Sequence, residues 1–463
     1  MSQNEKKVSR RRFVKYAGGA VVVAAAAAAG YGIYESTRPL PAVTPTMTAE
    51  TTSPTTMPTQ TATPEISVLL VDQPSFRGAE KYTPEFERQT GIKVRIEFVP
   101  YETYLEKIIM DFAAHTAAYD VACVDSIWIG PMASGGHLEP LKKWLDDPKI
   151  ASEVDVPDFL PTHLDLWGTW DGEIVALPWT SDVAIMIYNK ELFDKEGISY
   201  PDPTGQITWD QLHDYAARLT KDTNGDGEID QYGSALTGIR DDPVYMEFLF
   251  RLFPFGGENF ENRKPIFNSP EGVDALQHML DLRPFCPPGP TAMNWEDTLD
   301  QFMNGKIAMI QMWDSLVGDI ENPETSKVAG KCGFCTNPSQ KIKAANMAGW
   351  TIGMNVDSKN KDAAFRYIQW LVSKETIRKL AYEGYVATPA RSSLLEDPKI
   401  VERATWLPTT LESLRIGKGP PRMPEYGAFL SIIGKYLSQA VDGTLSAKEA
   451  LDGAHDEVAG LIK

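Results

Sequence analysis

Cysteine and histidine are scarce in this chain, and basic charge is outnumbered. Only 4 Cys and 6 His occur in 463 residues, too few for a disulfide-stapled scaffold. His115, His137, His163, His213, His278 and His455 are scattered, with no H-E-x-x-H and no paired metal spacing. There is no Asn-x-Ser/Thr sequon with x other than Pro, so N-glycosylation is not expected. The 45 Lys and Arg face 63 Asp and Glu, a formal net charge of −18. That balance argues against nucleic acid as a partner and against docking on anionic lipid.

Basic residues instead concentrate at the start. Ser9-Arg10-Arg11-Arg12-Phe13-Val14-Lys15 precedes an uncharged stretch from Tyr16 to Tyr34. The motif resembles the twin-arginine export signal, S-R-R-x-F-L-K, with Val14 in place of Leu. The resemblance implies work outside the cytoplasm, in the periplasm or at the cell surface, and export as a folded protein. As a helix the stretch would rise roughly 28 Å, close to a hydrocarbon core of about 30 Å. It is rich in Ala and Gly, and Ala24 to Ala29 offers small-residue cleavage sites. Cleavage and retention as a single-span anchor both stay open for residues 1–35. No cysteine precedes Cys123, which excludes a lipid-modified cysteine. Residues 36–65 hold 11 Thr and 6 Pro and bury too little apolar surface to order, so they read as an extended linker. Whether it is O-glycosylated or bare is not written in the sequence.

Beyond residue 65 the chain is long enough for two cores and more acidic than the whole, since the removed segment carries more basic than acidic side chains. Ile66–Val71 reads as a buried strand, Thr83–Thr90 as a helix ended by Gly91, and Ile92–Phe98 as a second strand. Tyr101–Ala114 reads as an amphipathic helix and Asp120–Asp125 as a third strand. Strand-helix-strand repeats at this spacing predict an α/β fold with a mostly parallel sheet. Ligands of such sheets sit beyond the carboxyl ends of the strands, which draws attention to Asp72-Gln73-Pro74 and Asp125-Ser126-Ile127-Trp128.

Phe86–Val94, Tyr119–Val121 and Gly136–Leu141 resemble the first lobe of the family 1 extracellular solute-binding proteins, the maltose-binding-protein-like group that serves ABC importers. The likeness continues through Ala176–Pro178, Tyr188–Phe193, Thr208–Leu212, Phe302–Met309, Gly349-Trp350, Ala363–Leu371 and Gly384–Arg391. It implies a two-lobed periplasmic-binding-protein fold, each lobe a mostly parallel sheet flanked by helices, with several chain crossings at the hinge. Lobe 1 would span 66–181 and take back 352–397; lobe 2 would span 182–351 and take back 398–463. The implied function is capture of a carbohydrate, an oligosaccharide, by a monomer that delivers it to the membrane permease subunits of an importer.

Sugars offer apolar C–H faces and rings of hydroxyls, which aromatic platforms and carboxylates or amides satisfy. The candidates at strand ends and crossings are Gln73, Asp125, Trp128, Trp179, Asp182, Trp313, Asp314 and Trp350, together with Arg391 and Tyr426. The resemblance places Asp182 on a sugar-contacting acid and Trp313 on the family's stacking tryptophan. Core packing is an equally good reading for Trp128 and Trp179. Trp144, Trp209 and Trp370, on helices beside Leu and Ile, read as core.

Asp222-Thr-Asn224-Gly-Asp226-Gly-Glu228-Ile-Asp230 follows D-x-[DN]-x-[DN]-G and lacks the twelfth-position glutamate of an EF-hand, since Gly233 stands there. Its oxygens predict a structural Ca2+ site; a solvated Asx turn is the alternative. Cys332 and Cys335 fall on a strand reading, where residues three apart face opposite ways, so a shared zinc or a redox pair is disfavoured. A disulfide from Cys286 to Cys332 or Cys335 stays open, and Cys123 reads as buried strand. No nucleophile, base or metal-ligand constellation is apparent, which points away from an enzyme. An exported glycosidase, or a binder of a polyol phosphate or peptide, are the other readings.

Overall fold

The computed structural model describes residues 63–462 except Gln206. The export motif, and the linker as far as residue 62, lie outside the described residues. Among the described residues no helix is long and apolar enough to cross a membrane.

The first strands follow the predicted alternation. Strand β1 (Glu65–Val71) leads into helix α1 (Pro74–Thr90), then β2 (Lys93–Val99), α2 (Tyr101–Ala113) and β3 (Val121–Asp125). β1 pairs in parallel with both β2 and β3, as right-handed crossovers require. Helix α1 starts nine residues earlier than the sequence predicts, because Pro84 reads as a helix start and in fact lies inside the helix. The helix ends on Gly91, whose φ of 74° takes the left-handed cap that a side chain disfavours.

The remaining strands pair mostly antiparallel. β4 (Ala176–Asn189) is 14 residues long; β5 (Met309–Trp313), β6 (Cys332–Thr336), β7 (Ala345–Met354) and the short β8 (Gly417–Lys418) complete one eight-stranded sheet. Its order is β6-β4-β7-β3-β1-β2, with β5 also on β4 and β8 on β7. β7 is antiparallel to β3 and to the first half of β4. The second half of β4 is antiparallel to β5 and β6. Parallel pairing is therefore confined to β1, β2, β3 and the β7–β8 contact, less than the sequence leads one to expect. The reason is that β4 and β7 are crossing strands shared by two lobes and not returns of a strand-helix-strand unit.

Burial sorts the tryptophans. Trp209 is fully buried on the helix Trp209–Leu219, which a Thr208–Gln211 capping box starts. Trp144 stacks on Phe365 at 5.0 Å and 5°. Trp370 packs against Phe86 and Tyr367. All four cysteines are free and buried, so none is paired with another. Burial pushes the Cys123 and Cys335 thiols up to about 12, away from the reactive thiolate.

Arg391, a candidate ligand contact from sequence, is a structural residue. It is fully buried, and its Nε donates to the Val372 carbonyl at 2.8 Å while Nη2 donates to that of Val154 at 2.8 Å. Nη1 reaches the Asp155 carbonyl and Asp158 Oδ2, and the guanidinium lies 4.0 Å from the Phe159 ring centre. Fully buried, it offers no surface to a solute. Removing one partner of a buried ion pair strands the other charge, so Arg391→Ala should lower unfolding free energy by about 3–5 kcal/mol. Urea denaturation measures it; a loss below about 1 kcal/mol, the worth of a surface pair, would contradict this role.

Candidate functional site

Two strand ends and the middle of a third strand in the first half of the sheet meet residues from the other half around a common cavity. Val71 and Asp72 close β1, Asp125 closes β3, and Ala348 to Trp350 lie in mid-β7. Opposite them stand Asp242 and Met246 of the helix Asp242–Leu252, Trp295 and Glu296 opening the helix Trp295–Met303, and Trp313 to Leu316 after β5. Asp182 of β4 lies where that strand changes partners. The cavity measures about 480 Å3. It shares Gln73, Asp182, Ser315, Leu316 and Trp350 with an outer cavity of about 670 Å3, so the two form one continuous cleft.

Close backbone approach makes the floor. A Cβ at Gly349 would stand 2.6 Å from the Thr180 carbonyl oxygen, so only glycine lets β7 and β4 meet there. The Gly349 carbonyl in turn accepts from the Ser126 N–H at 2.9 Å. The walls are aromatic. Trp128 is buried between Tyr101 (centroids 5.3 Å apart) and Tyr104 (5.5 Å), and Trp350 meets it edge-on at 5.5 Å. Trp313 is half-buried, edge-on to Phe250 and Trp295. Tyr101 and Trp350 thus face a second wall of Trp295 and Trp313.

The polar groups between these walls are acidic. Asp125 accepts from Tyr101 Oη, Ser126 Oγ and the Ile127 N–H, yet burial pushes its carboxyl up to about 6. Asp242 rises to about 7 through burial and then the charges of Asp125 and Asp241. Asp182 is raised well above the carboxylate range by burial and then by Asp314. Acceptor carboxylates between aromatic faces can hold hydroxyl or amine donors.

A model of the family described as bacterial extracellular solute-binding protein matches residues 72–377. The chain belongs to that family. A probable amino-acid ABC transporter periplasmic-binding protein of Sinorhizobium fredii is 27% identical over 364 residues, covering 77% of this chain and 80% of that one. The mannitol-binding protein of Pseudomonas aeruginosa is 27% identical over 381 residues, covering 77% and 84%. A solute-binding protein of an ABC transporter from Agrobacterium radiobacter K84, solved with ribitol, superposes with a TM-score of 0.77 at 28% identity over 86% of this chain and 98% of that one. The two-lobed periplasmic-binding-protein fold is thereby established for this solute-binding protein.

The structure brings Gln73, Asp125, Asp182, Trp313 and Trp350 together on the cleft. Trp128 stands behind the wall and sets the pose of Tyr101 and Trp350. Trp179 is fully buried, stacked on Phe76 at 6.0 Å, and is no lining residue. Asp314 is fully buried as well; it accepts from the Val183 N–H and the Thr388 and Thr410 hydroxyls, tying β5 to β4 and to two later segments. Tyr426 is buried with its hydroxyl unpartnered and feels the charges of Asp242 and Asp125, one layer behind the lining. Sequence reasoning missed Tyr101, Asp242, Trp295, Glu296 and Ser315. Tyr101 carried a readable signal as the second residue after β2; the others lie at helix starts, where apolar periodicity says nothing about facing a cleft.

In the acidic loop the side-chain oxygens accept hydrogen bonds from the loop itself. Asp222 accepts from the Gly225 and Gly227 N–H groups, Asn224 from that of Asp226, and Asp226 from that of Glu228. Asp230 turns to Thr223, taking its N–H and hydroxyl. These are Asx turns, and among the described residues no three His, Cys, Asp or Glu side chains converge to hold a metal.

The raised carboxyls have a consequence for stability. At about pH 4 Asp242 is neutral when folded and half ionised when unfolded; by about pH 7 the folded state must begin to ionise it without a cation. The folded state therefore holds the extra proton across that window, and the contribution of Asp242 to stability falls as pH rises. Asp242→Asn should raise the unfolding free energy of the unliganded protein at pH 8 by on the order of 2 kcal/mol and change little at pH 4. Melting curves at the two pH values check it; equal effects at both would show that the charge is not the cause.

Proposed function

We propose that this solute-binding protein captures a polyhydroxylated carbohydrate, a sugar or a sugar alcohol, between its lobes. It then delivers the solute, as a monomer, to the permease subunits of an ABC importer. The observation that carries the reading is the inner cavity: aromatic walls on both sides, with Gln73, Asp125, Asp182, Asp242 and Ser315 between them. The walls suit the C–H faces of a sugar ring or alditol chain, and the acceptors suit its hydroxyls. A volume of about 480 Å3 falls in the range of small-molecule sites. The outer cavity offers room for a longer chain. The mannitol and ribitol named for two relatives support the same chemistry. An amino acid, as the Sinorhizobium relative's name suggests for that protein, would bring a carboxylate; the inner cavity presents no Lys, Arg or His to receive it, and Arg403 of the adjoining cavity already donates to the Tyr382 and Glu383 carbonyls.

A thermal-shift screen of sugars, alditols and amino acids, with product analysis of the same mixtures, tests the reading. Carbohydrates should raise the melting temperature without being consumed. Trp313→Ala should weaken binding of the best of them by roughly 2 to 4 kcal/mol, as for a buried aromatic anchor, and leave the fold intact. Stabilisation by amino acids alone would overturn the proposal.

Export carries the protein to its site of action, and Ser9 to Lys15 supports a twin-arginine route. Replacing Arg10 and Arg11 together by Lys should keep the protein in the cytoplasm, as cell fractionation would show. Unimpaired export would rule that route out.

A further inference from the structure

We infer that the solute carries a positive charge: an aminated sugar or amino alditol whose ammonium sits among Asp125, Asp182 and Asp242. The inference rests on the carbohydrate reading and narrows it.

The first ground is an imbalance of charge. Five carboxylates line the inner cavity and no Lys, Arg or His does, among the described residues. Asp72 and Glu296 lie at the exposed rim, and Asp72 already holds Arg77 through both oxygens. The remaining three have no cation within ion-pair distance. Arg240, two residues before Asp242, turns to Asp241 and Ser431.

The second ground is a pair of unsatisfied acceptors. Asp182 Oδ1 and Asp242 Oδ1 are both buried with no hydrogen-bond donor. Behind them the Tyr426 hydroxyl, 2% exposed, is also without a partner and faces the charges of Asp242 and Asp125. Buried polar groups are normally paired, so these oxygens await something.

The third ground is how the same fold treats other buried acids. Glu247 meets Arg251 at 2.7 Å, Asp158 meets Arg391 at 3.2 Å, and Asp314 collects three donors. At the cleft, by contrast, half-buried carboxylates stand near one another with no counter-ion. Hydroxyl donors would fill the empty acceptor positions but leave that repulsion standing. An ammonium does both, offering three donors and a unit charge where little water screens it.

Calorimetric titration of the full-length protein at pH 7.5 decides the matter. The probes are D-glucosamine against D-glucose and N-acetyl-D-glucosamine, and 1-amino-1-deoxy-D-glucitol against D-glucitol. In at least one series the amine should bind about tenfold or more tightly than its neutral partners. Asp242→Asn and, separately, Asp125→Asn should shrink that preference, and added salt should erode it. Neutral members binding as tightly as the amines would overturn the inference and leave the carbohydrate reading standing. Failure of every carbohydrate, neutral or aminated, would overturn both.

Discussion

One strand holds this protein together. Over its first half, Ala176–Val183, β4 is hydrogen-bonded to β7; from Ala184 onward it is bonded to β5 and β6. The change of partner falls beside Asp182, one of the five residues that line both cavities. A backbone paired along its whole length cannot slip without turning every side chain to the opposite face. The strand therefore fixes the register of both halves at once and sets where the cleft opens. Asp314 secures the same point from the second half, since its carboxylate accepts from the Val183 N–H and from Thr388 and Thr410. With the hinge so constrained, the aromatic walls face each other as a consequence.

The cost of that arrangement is electrostatic. Bringing β3, β4 and the helix starting at Asp242 to one cavity gathers Asp125, Asp182 and Asp242 in a poorly hydrated place. Burial raises all three carboxyls, and neighbouring acids add to the rise at Asp182 and Asp242. A site built for recognition keeps acceptors unsatisfied until its solute arrives. Its empty form therefore gives up stability that a fully paired core would have, as Arg391 and Asp158 illustrate elsewhere.

The sequence and the structure agree where the evidence is local. The strands Glu65–Val71, Lys93–Val99 and Val121–Asp125 lie within a residue or so of their expected ends, because apolar runs, or in Lys93–Val99 a strict polar–apolar alternation, leave little choice. Gln73, Asp125 and Trp350 were found through strand ends and crossings, a rule of topology that sequence alone can apply. Disagreement came where a side chain had two equally local readings. Pro84 looks the same as a helix start or a helix interior. Trp179 and Trp128 follow apolar strands whether they face inward or toward the cleft.

By itself, then, the amino-acid sequence determined the α/β alternation, the buried strands and the family resemblance, since these depend on periodicity and on motifs read in order. Tertiary structure alone decided which charged groups are spent and which are free. Arg391 finds three carbonyls from residues distant in the chain, Asp314 finds two threonines more than seventy residues away, and Asp242 finds no partner at all. A carboxylate's role depends on what stands within about 3 Å of it, the reach of a hydrogen bond, and that distance is set by the packing of segments whose separation along the chain carries no record of it.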